Sequence, residues 1–206
     1  MTCEKRQLLH RDIKASNIMV NTSTNTFKLS DFGIAKYNDS LNGSLSNKGT
    51  PDFMAPEVFK NLRYDSRVDI YSLGIVIYQL LNANRYPFLP PAPQLFTAEQ
   101  RDMAIEQRLS GKTIPPIPGL PPAIMKILWK SLAFEPNHRY PNAEALVRDL
   151  QNLTLTPEEA SVPLFDRQGE FLPVVQPAKQ KKSAWIIPAV LALMAAAFIL
   201  LKVFLK

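Results

Sequence analysis

The sequence predicts an α+β chain, mostly helical, with a small β-hairpin region near its start and one apolar helix near its end. Three observations carry this. Residues 18–30 hold two short strand-like runs about a turn, residues 66–81 read as a helix apolar on nearly every side, and residues 184–201 are 18 uncharged, mostly apolar positions.

The hairpin comes first. Ile18-Met19-Val20 is an apolar run, residues 21–25 have turn composition, and Phe27-Lys28-Leu29-Ser30 alternates apolar with polar. Residues 37–50 are rich in Asn, Ser and Gly and read as a flexible loop. In residues 66–81 the apolar set Val68, Ile70, Tyr71, Leu73, Ile75, Val76, Ile77, Leu80 and Leu81 surrounds the helix, which predicts burial on most sides. That stretch is short for a membrane span and contains Asp69 and Gln79, so it is read as the central core helix. Prolines cluster between Pro87 and Pro122 and predict irregular loops there. Residues 97–110 form an amphipathic helix, because Thr97 and Gln100 have capping-box spacing. Residues 121–134 and 141–153 form two more helices, each opened by proline.

Residues 154–183 have no sustained period and hold Pro157, Pro163, Pro173 and Pro177, so they read as a juxtamembrane linker. The apolar run that follows meets the roughly 18–20 residues a spanning helix needs. Lys202 can snorkel and extend the span to residues 184–205, and Trp185 sits at one edge, where interfacial aromatics prefer to be. Lys179, Lys181 and Lys182 flank its N-terminal side and predict that this side stays cytoplasmic. Residues 1–12 are polar and charged and have no signal-peptide character. A single cysteine, Cys3, excludes an internal disulfide or a multi-cysteine zinc site, and the two histidines make no metal-site spacing. The net charge of +6 comes from dispersed basic residues without a nucleic-acid motif, so no nucleic-acid partner is expected.

Three motifs carry chemistry. His10-Arg11-Asp12-Ile13-Lys14-Ala15-Ser16-Asn17 fits H-R-D-x-x-x-x-N; Asp31-Phe32-Gly33 follows; Met54-Ala55-Pro56-Glu57 closes the segment. In this order and spacing they resemble the eukaryotic-type serine/threonine protein kinase family, in its bacterial membrane-anchored form. The resemblance covers residues 3–153 and corresponds to the mostly helical C-terminal lobe of such a kinase. It implies ATP and Mg2+ as the reacting nucleotide and its metal, and protein serine or threonine hydroxyls as acceptors.

By this resemblance Asp12 accepts the acceptor's hydroxyl proton and Lys14 steadies the transferring phosphoryl group. Asn17 and Asp31 ligate magnesium, which prefers hard oxygen donors. Lys14 itself points to serine/threonine rather than tyrosine acceptors. Thr50, in Gly49-Thr50-Pro51, shapes the acceptor side. Arg11 receives an activation-loop phosphate, for which Ser40, Ser44, Ser46 and Thr50 are candidates. His10, Phe32 and Gly33 are packing and backbone residues. Asp69 holds the catalytic loop, and Glu57 pairs with Arg139 in Glu135-Pro136-Asn137-His138-Arg139-Tyr140. The sequence departs from the common pattern at Ala15, where proline is more frequent.

No Gly-x-Gly-x-x-Gly occurs in the sequence, and nothing matches the strand lysine or helix glutamate of an N-terminal lobe. The expectation is therefore a serine/threonine kinase lobe without its N-terminal lobe, single-pass in the membrane with the lobe in the cytoplasm, and inactive alone. The helix at 66–81 is then expected to expose apolar side chains. The alternative is a membrane-tethered, non-catalytic docking module.

Overall fold

The structure, a computed structural model, describes residues 8–21, 26–31, 36–37 and 51–153. Two antiparallel two-stranded sheets come first. β1 (Leu8–Leu9) pairs with β4 (Lys36–Tyr37), and β2 (Ile18–Asn21) pairs with β3 (Thr26–Leu29) in the register Ile18↔Leu29 to Asn21↔Thr26. The second pair is the hairpin that the apolar run, turn composition and alternation predict. The short β1–β4 pair closes the ends of the segment that carries the hairpin.

Five helices follow among the described residues: α1 (Pro56–Phe59), α2 (Arg67–Leu81), α3 (Ala98–Leu109), α4 (Pro122–Ser131) and α5 (Ala143–Gln151). α3 starts on the capping box its sequence signals. The Gln100 N–H donates to Thr97 Oγ1 at 3.3 Å, and the Thr97 N–H donates to Gln100 Oε1 at 2.9 Å. α4 and α5 are shorter than the sequence suggests. α4 opens on Pro122 as expected but stops at Ser131, whose hydroxyl bonds back to the Ile127 carbonyl. α5 is opened by Asn142 rather than Pro141, because the Asn142 side chain accepts the Ala145 N–H at 2.9 Å. α1 is a single turn started by Pro56, too short for any periodicity to announce it.

The core forms around α2. Val68, Ile70, Tyr71, Leu73, Ile75, Val76 and Leu81 are each at most 3% exposed, and they cluster with Leu9, Ile13, Phe53, Ile114, Ile117, Leu128 and Leu146. The expectation that α2 presents apolar surface is therefore wrong: the loops at 51–55 and 114–120, together with α4 and α5, contribute to one cluster with it. Gly74 lets α4 approach closely, since a Cβ there would lie 2.9 Å from Leu132 Cδ2 and 3.1 Å from Ser131 Cβ. Among the described residues no helix is long and apolar enough to cross a membrane. The linker at 154–183 and the span at 184–205 lie outside the described residues, as do Phe32, Gly33, Ser40, Ser44, Ser46 and Thr50.

Candidate active site

The segment between β1 and β2 is irregular apart from one 3-10 turn, and α2 supplies partners for the backbone at its start. Asp69, in the first turn of α2 and 1% exposed, accepts the His10 N–H at 2.8 Å on Oδ2 and the Arg11 N–H at 2.9 Å on Oδ1. Burial pushes the Asp69 carboxyl above its ordinary range, against the pull of those two donors. Arg11 has φ 68°, a left-handed value costly for a residue with a Cβ, and the Asp69 bond holds it there. Its guanidinium lies 5.3 Å from the centre of the Tyr64 ring.

His10 is buried and works as a brace. The Asp12 N–H donates to its Nδ1 at 3.3 Å, so the ring N–H is on Nε2, which donates to the Ser30 carbonyl at 3.0 Å. The histidine thus ties the loop to the end of β3.

Asp12, Lys14 and Asn17 converge. Lys14 Nζ is 2.8 Å from Asp12 Oδ2, and Asn17 Nδ2 donates to the same oxygen at 3.1 Å and to the Asp12 carbonyl at 2.8 Å. A 3-10 turn over Ala15–Asn17 brings Asn17 back under Asp12. Both donors fall on Oδ2, so among the described residues Asp12 Oδ1 has no hydrogen bond. Asp12 is 8% exposed and Lys14 is half-buried, which keeps the pair's attraction from being fully screened by water.

The hairpin brings Asn17 and Asp31 to one end. The Ser30 N–H donates to the Asn17 carbonyl at 2.8 Å, continuing the β2–β3 ladder by one step. Asp31 follows directly, exposed, with φ 62°; aspartate tolerates that region better than most residues. Asn17 uses its amide protons on Asp12, so the atom it has left to offer a cation is Oδ1. An amide oxygen and a carboxylate oxygen at one end of a hairpin suit magnesium, which takes few protein ligands and completes its shell with phosphates and water. Among the described residues no group of three or more His, Cys, Asp or Glu can hold a metal by itself.

The segment after residue 50 is fixed as firmly. Glu57 and Arg139 meet in a buried bidentate pair, Nη1 to Oε1 at 2.6 Å and Nη2 to Oε2 at 2.8 Å. The Ser72 hydroxyl donates to the Phe53 carbonyl at 2.8 Å. Sequence reasoning missed two further contacts. Arg101 of α3 makes a two-pronged pair with Asp52, and the buried Arg108 donates to the Met54 and Pro51 carbonyls. Arg108, lying at an inward position of an amphipathic helix beside Leu109, was the one available signal.

Residues 1–150 match the protein kinase domain family. The chain belongs to it. A probable serine/threonine-protein kinase of Clostridium acetobutylicum is 32% identical over 152 residues, which is 72% of this chain and 22% of that protein. The serine/threonine-protein kinase PknB of Mycobacterium tuberculosis is 33% identical over 150 residues, 69% of this chain and 22% of that one. The tyrosine-protein kinase MasK of Myxococcus xanthus is 36% identical over 150 residues, again covering 22% of that protein. The chain thus spans only a small part of the length of these kinase relatives.

Proposed function

We propose that the chain is the acceptor-side lobe of a membrane-anchored serine/threonine protein kinase, which transfers the ATP γ-phosphate to protein hydroxyls. The observation that carries this is the convergence of Lys14 and Asn17 on one oxygen of Asp12. That arrangement leaves Asp12 Oδ1 to accept a proton and keeps a cation next to the transferring group. In the step, the acceptor oxygen bonds to the γ-phosphorus, its proton passes to Asp12, and the bond to the β-phosphate oxygen breaks to release ADP. Lys14 offsets charge on the phosphoryl group as it moves. Asn17 and Asp31 would hold magnesium, which neutralises phosphate charge when bound.

Lys14 favours serine/threonine acceptors over tyrosine. The names of the relatives fall on both sides, and phosphoamino-acid analysis of the product distinguishes the two. The phosphate cover that a Gly-rich loop supplies is not encoded in these 206 residues, and we hold that they transfer no phosphate until another segment provides it. The 184–205 run anchors the lobe at the cytoplasmic face. Protease added to sealed inside-out vesicles should then digest the lobe, and a protected lobe overturns that topology.

The catalytic test is phosphate transfer by protein expressed with its upstream coding sequence, followed by phosphoamino-acid analysis. Asp12→Ala should abolish transfer and leave nucleotide binding largely intact, whereas Asp31→Ala should also weaken magnesium-dependent nucleotide binding. Near-wild-type turnover in Asp12→Ala refutes the assignment.

A further inference from the structure

The structure assigns Arg108 the role of a positioning residue for the acceptor side of the site, an inference that rests on the kinase reading above. Arg108 is 3% exposed, on the inward side of α3 with Ala104 and Leu109. Among the described residues no carboxylate pairs with it, although its helix neighbour Arg101 has Asp52. A packing role would be met by an apolar side chain, and a charge role would bring a carboxylate. The guanidinium fork explains the choice instead. Nη1 donates to the Met54 carbonyl at 2.7 Å and Nη2 to the Pro51 carbonyl at 2.7 Å. Nη1 also meets the Tyr71 hydroxyl at 3.1 Å, which fixes the fork against α2.

Those two carbonyls bound one turn, closed by the Met54 N–H donating to the Pro51 carbonyl at 3.3 Å. Every residue of that turn is held from outside: Pro51 and Met54 by Arg108, Asp52 by Arg101 and Phe53 by Ser72. Three of the four tethers come from α3, and the turn is joined directly to Thr50. Arg108 spans both ends of the turn, so its loss frees the segment that must seat the acceptor while leaving Asp12, Lys14, Asn17 and Asp31 on their own supports. A lysine keeps the charge but presents a single point donor, so it cannot hold both carbonyls with the same geometry.

The experiment compares wild type, Arg108→Met and Arg108→Lys in the transfer-competent protein. It reads KM for a protein acceptor, the acceptor-independent rate of ATP hydrolysis, and amide exchange by mass spectrometry. Arg108→Met should raise acceptor KM about tenfold or more, as loss of charge-assisted hydrogen bonds implies. ATP hydrolysis and exchange in α4 and α5 should stay at wild-type levels while amides of residues 52–55 exchange faster. Arg108→Lys should fall between the two. Unchanged acceptor KM in both variants, or a parallel loss of ATP hydrolysis and of α4 and α5 protection, sinks this inference alone. Absence of transfer in the wild type sinks the kinase reading and this inference with it.

Discussion

Separating Glu57 from Arg139 should cost more stability than any other single change at the site. Arg139 has five N–H protons and the structure uses all five. Two go to Glu57, and the others reach the Ala133, Phe134 and Arg67 carbonyls at 2.7, 2.9 and 3.3 Å. The guanidinium also lies 4.6 Å from the centre of the Tyr71 ring. The two side chains are 0% and 6% exposed, so a charge left without its partner has almost no water to turn to. Glu57→Met or Arg139→Met alone should therefore cost about 3–5 kcal/mol. That is a large part of a typical stability of roughly 5–15 kcal/mol. Simple addition would predict about 6–10 kcal/mol for the double variant. Removing both charges leaves neither stranded, so the double variant should cost at least about 2 kcal/mol less than that sum. It should not reach the wild type, because three carbonyls still lose their donor. The assay is urea unfolding of the full chain in detergent micelles, followed by fluorescence of Trp129, whose indole N–H is bonded to the Ile114 carbonyl. Singles that cost under about 1 kcal/mol, or additive singles, would refute the claim that desolvation dominates here.

Three further outcomes follow from particular contacts. Gly74→Ala gains about 1 kcal/mol of helix propensity but drives a methyl group into Leu132 and Ser131, so unfolding should show a net loss of about 1–2 kcal/mol; a gain would mean that α4 moves freely. Asp69→Asn keeps one acceptor and turns an amide N–H toward a backbone N–H, so it should cost roughly 1–3 kcal/mol and speed exchange at the amides of His10 and Arg11; unaltered exchange there would refute Asp69 as their anchor. Burial tends to raise the Asp65 carboxyl, yet the hydrogen bonds and charge of Arg67 prevail and hold it below its ordinary value. The folded state therefore binds fewer protons than the unfolded one, and this stabilisation is present above about pH 3.9 and is lost as pH falls through the folded value. Asp65→Ala should be less stable than wild type at pH 7, with the gap closing in acid; a gap independent of pH would refute the ion-pair account.

How far the sequence reveals this fold depends on whether a feature is local. The hairpin, α2 and the start of α3 are set by alternation, apolar content and a capping box, and each is legible within a dozen residues. The end of α4 and the start of α5 depend on a single side-chain bond from Ser131 or Asn142, and proline placement misdirects the reading of α5. The burial of α2 depends on segments up to about 70 residues distant, Leu146 among them. The candidate site residues are proposed from three motifs that keep fixed spacing, and of these the structure brings Asp12, Lys14 and Asn17 together. Their supports are not legible in this way: Arg108 and Arg101 act on carbonyls and a carboxylate 49–57 positions away, and a carbonyl acceptor leaves no mark in a sequence.

One helix turn relates the two halves of the site. Asp69 and Ser72 stand three residues apart on α2 and so share a face, separated by about 4.5 Å along the axis. Asp69 carries the backbone of His10 and Arg11, directly ahead of Asp12, and Ser72 carries the Phe53 carbonyl in the 51–54 turn. Tyr71, between them, touches Arg108 through its hydroxyl and lies beneath Arg139 with its ring, so the arginine that spans the 51–54 turn and the arginine that pairs with Glu57 both bear on the same turn of α2. Phosphoryl transfer depends on the reacting oxygen and its base being held at a fixed separation. For the proposed transfer, α2 is the common anchor of these two segments, and its apolar girdle fixes it in the core. The near-complete apolar surround that identifies α2 in the sequence is thus also what the proposed chemistry requires: it immobilises the element from which both loops hang.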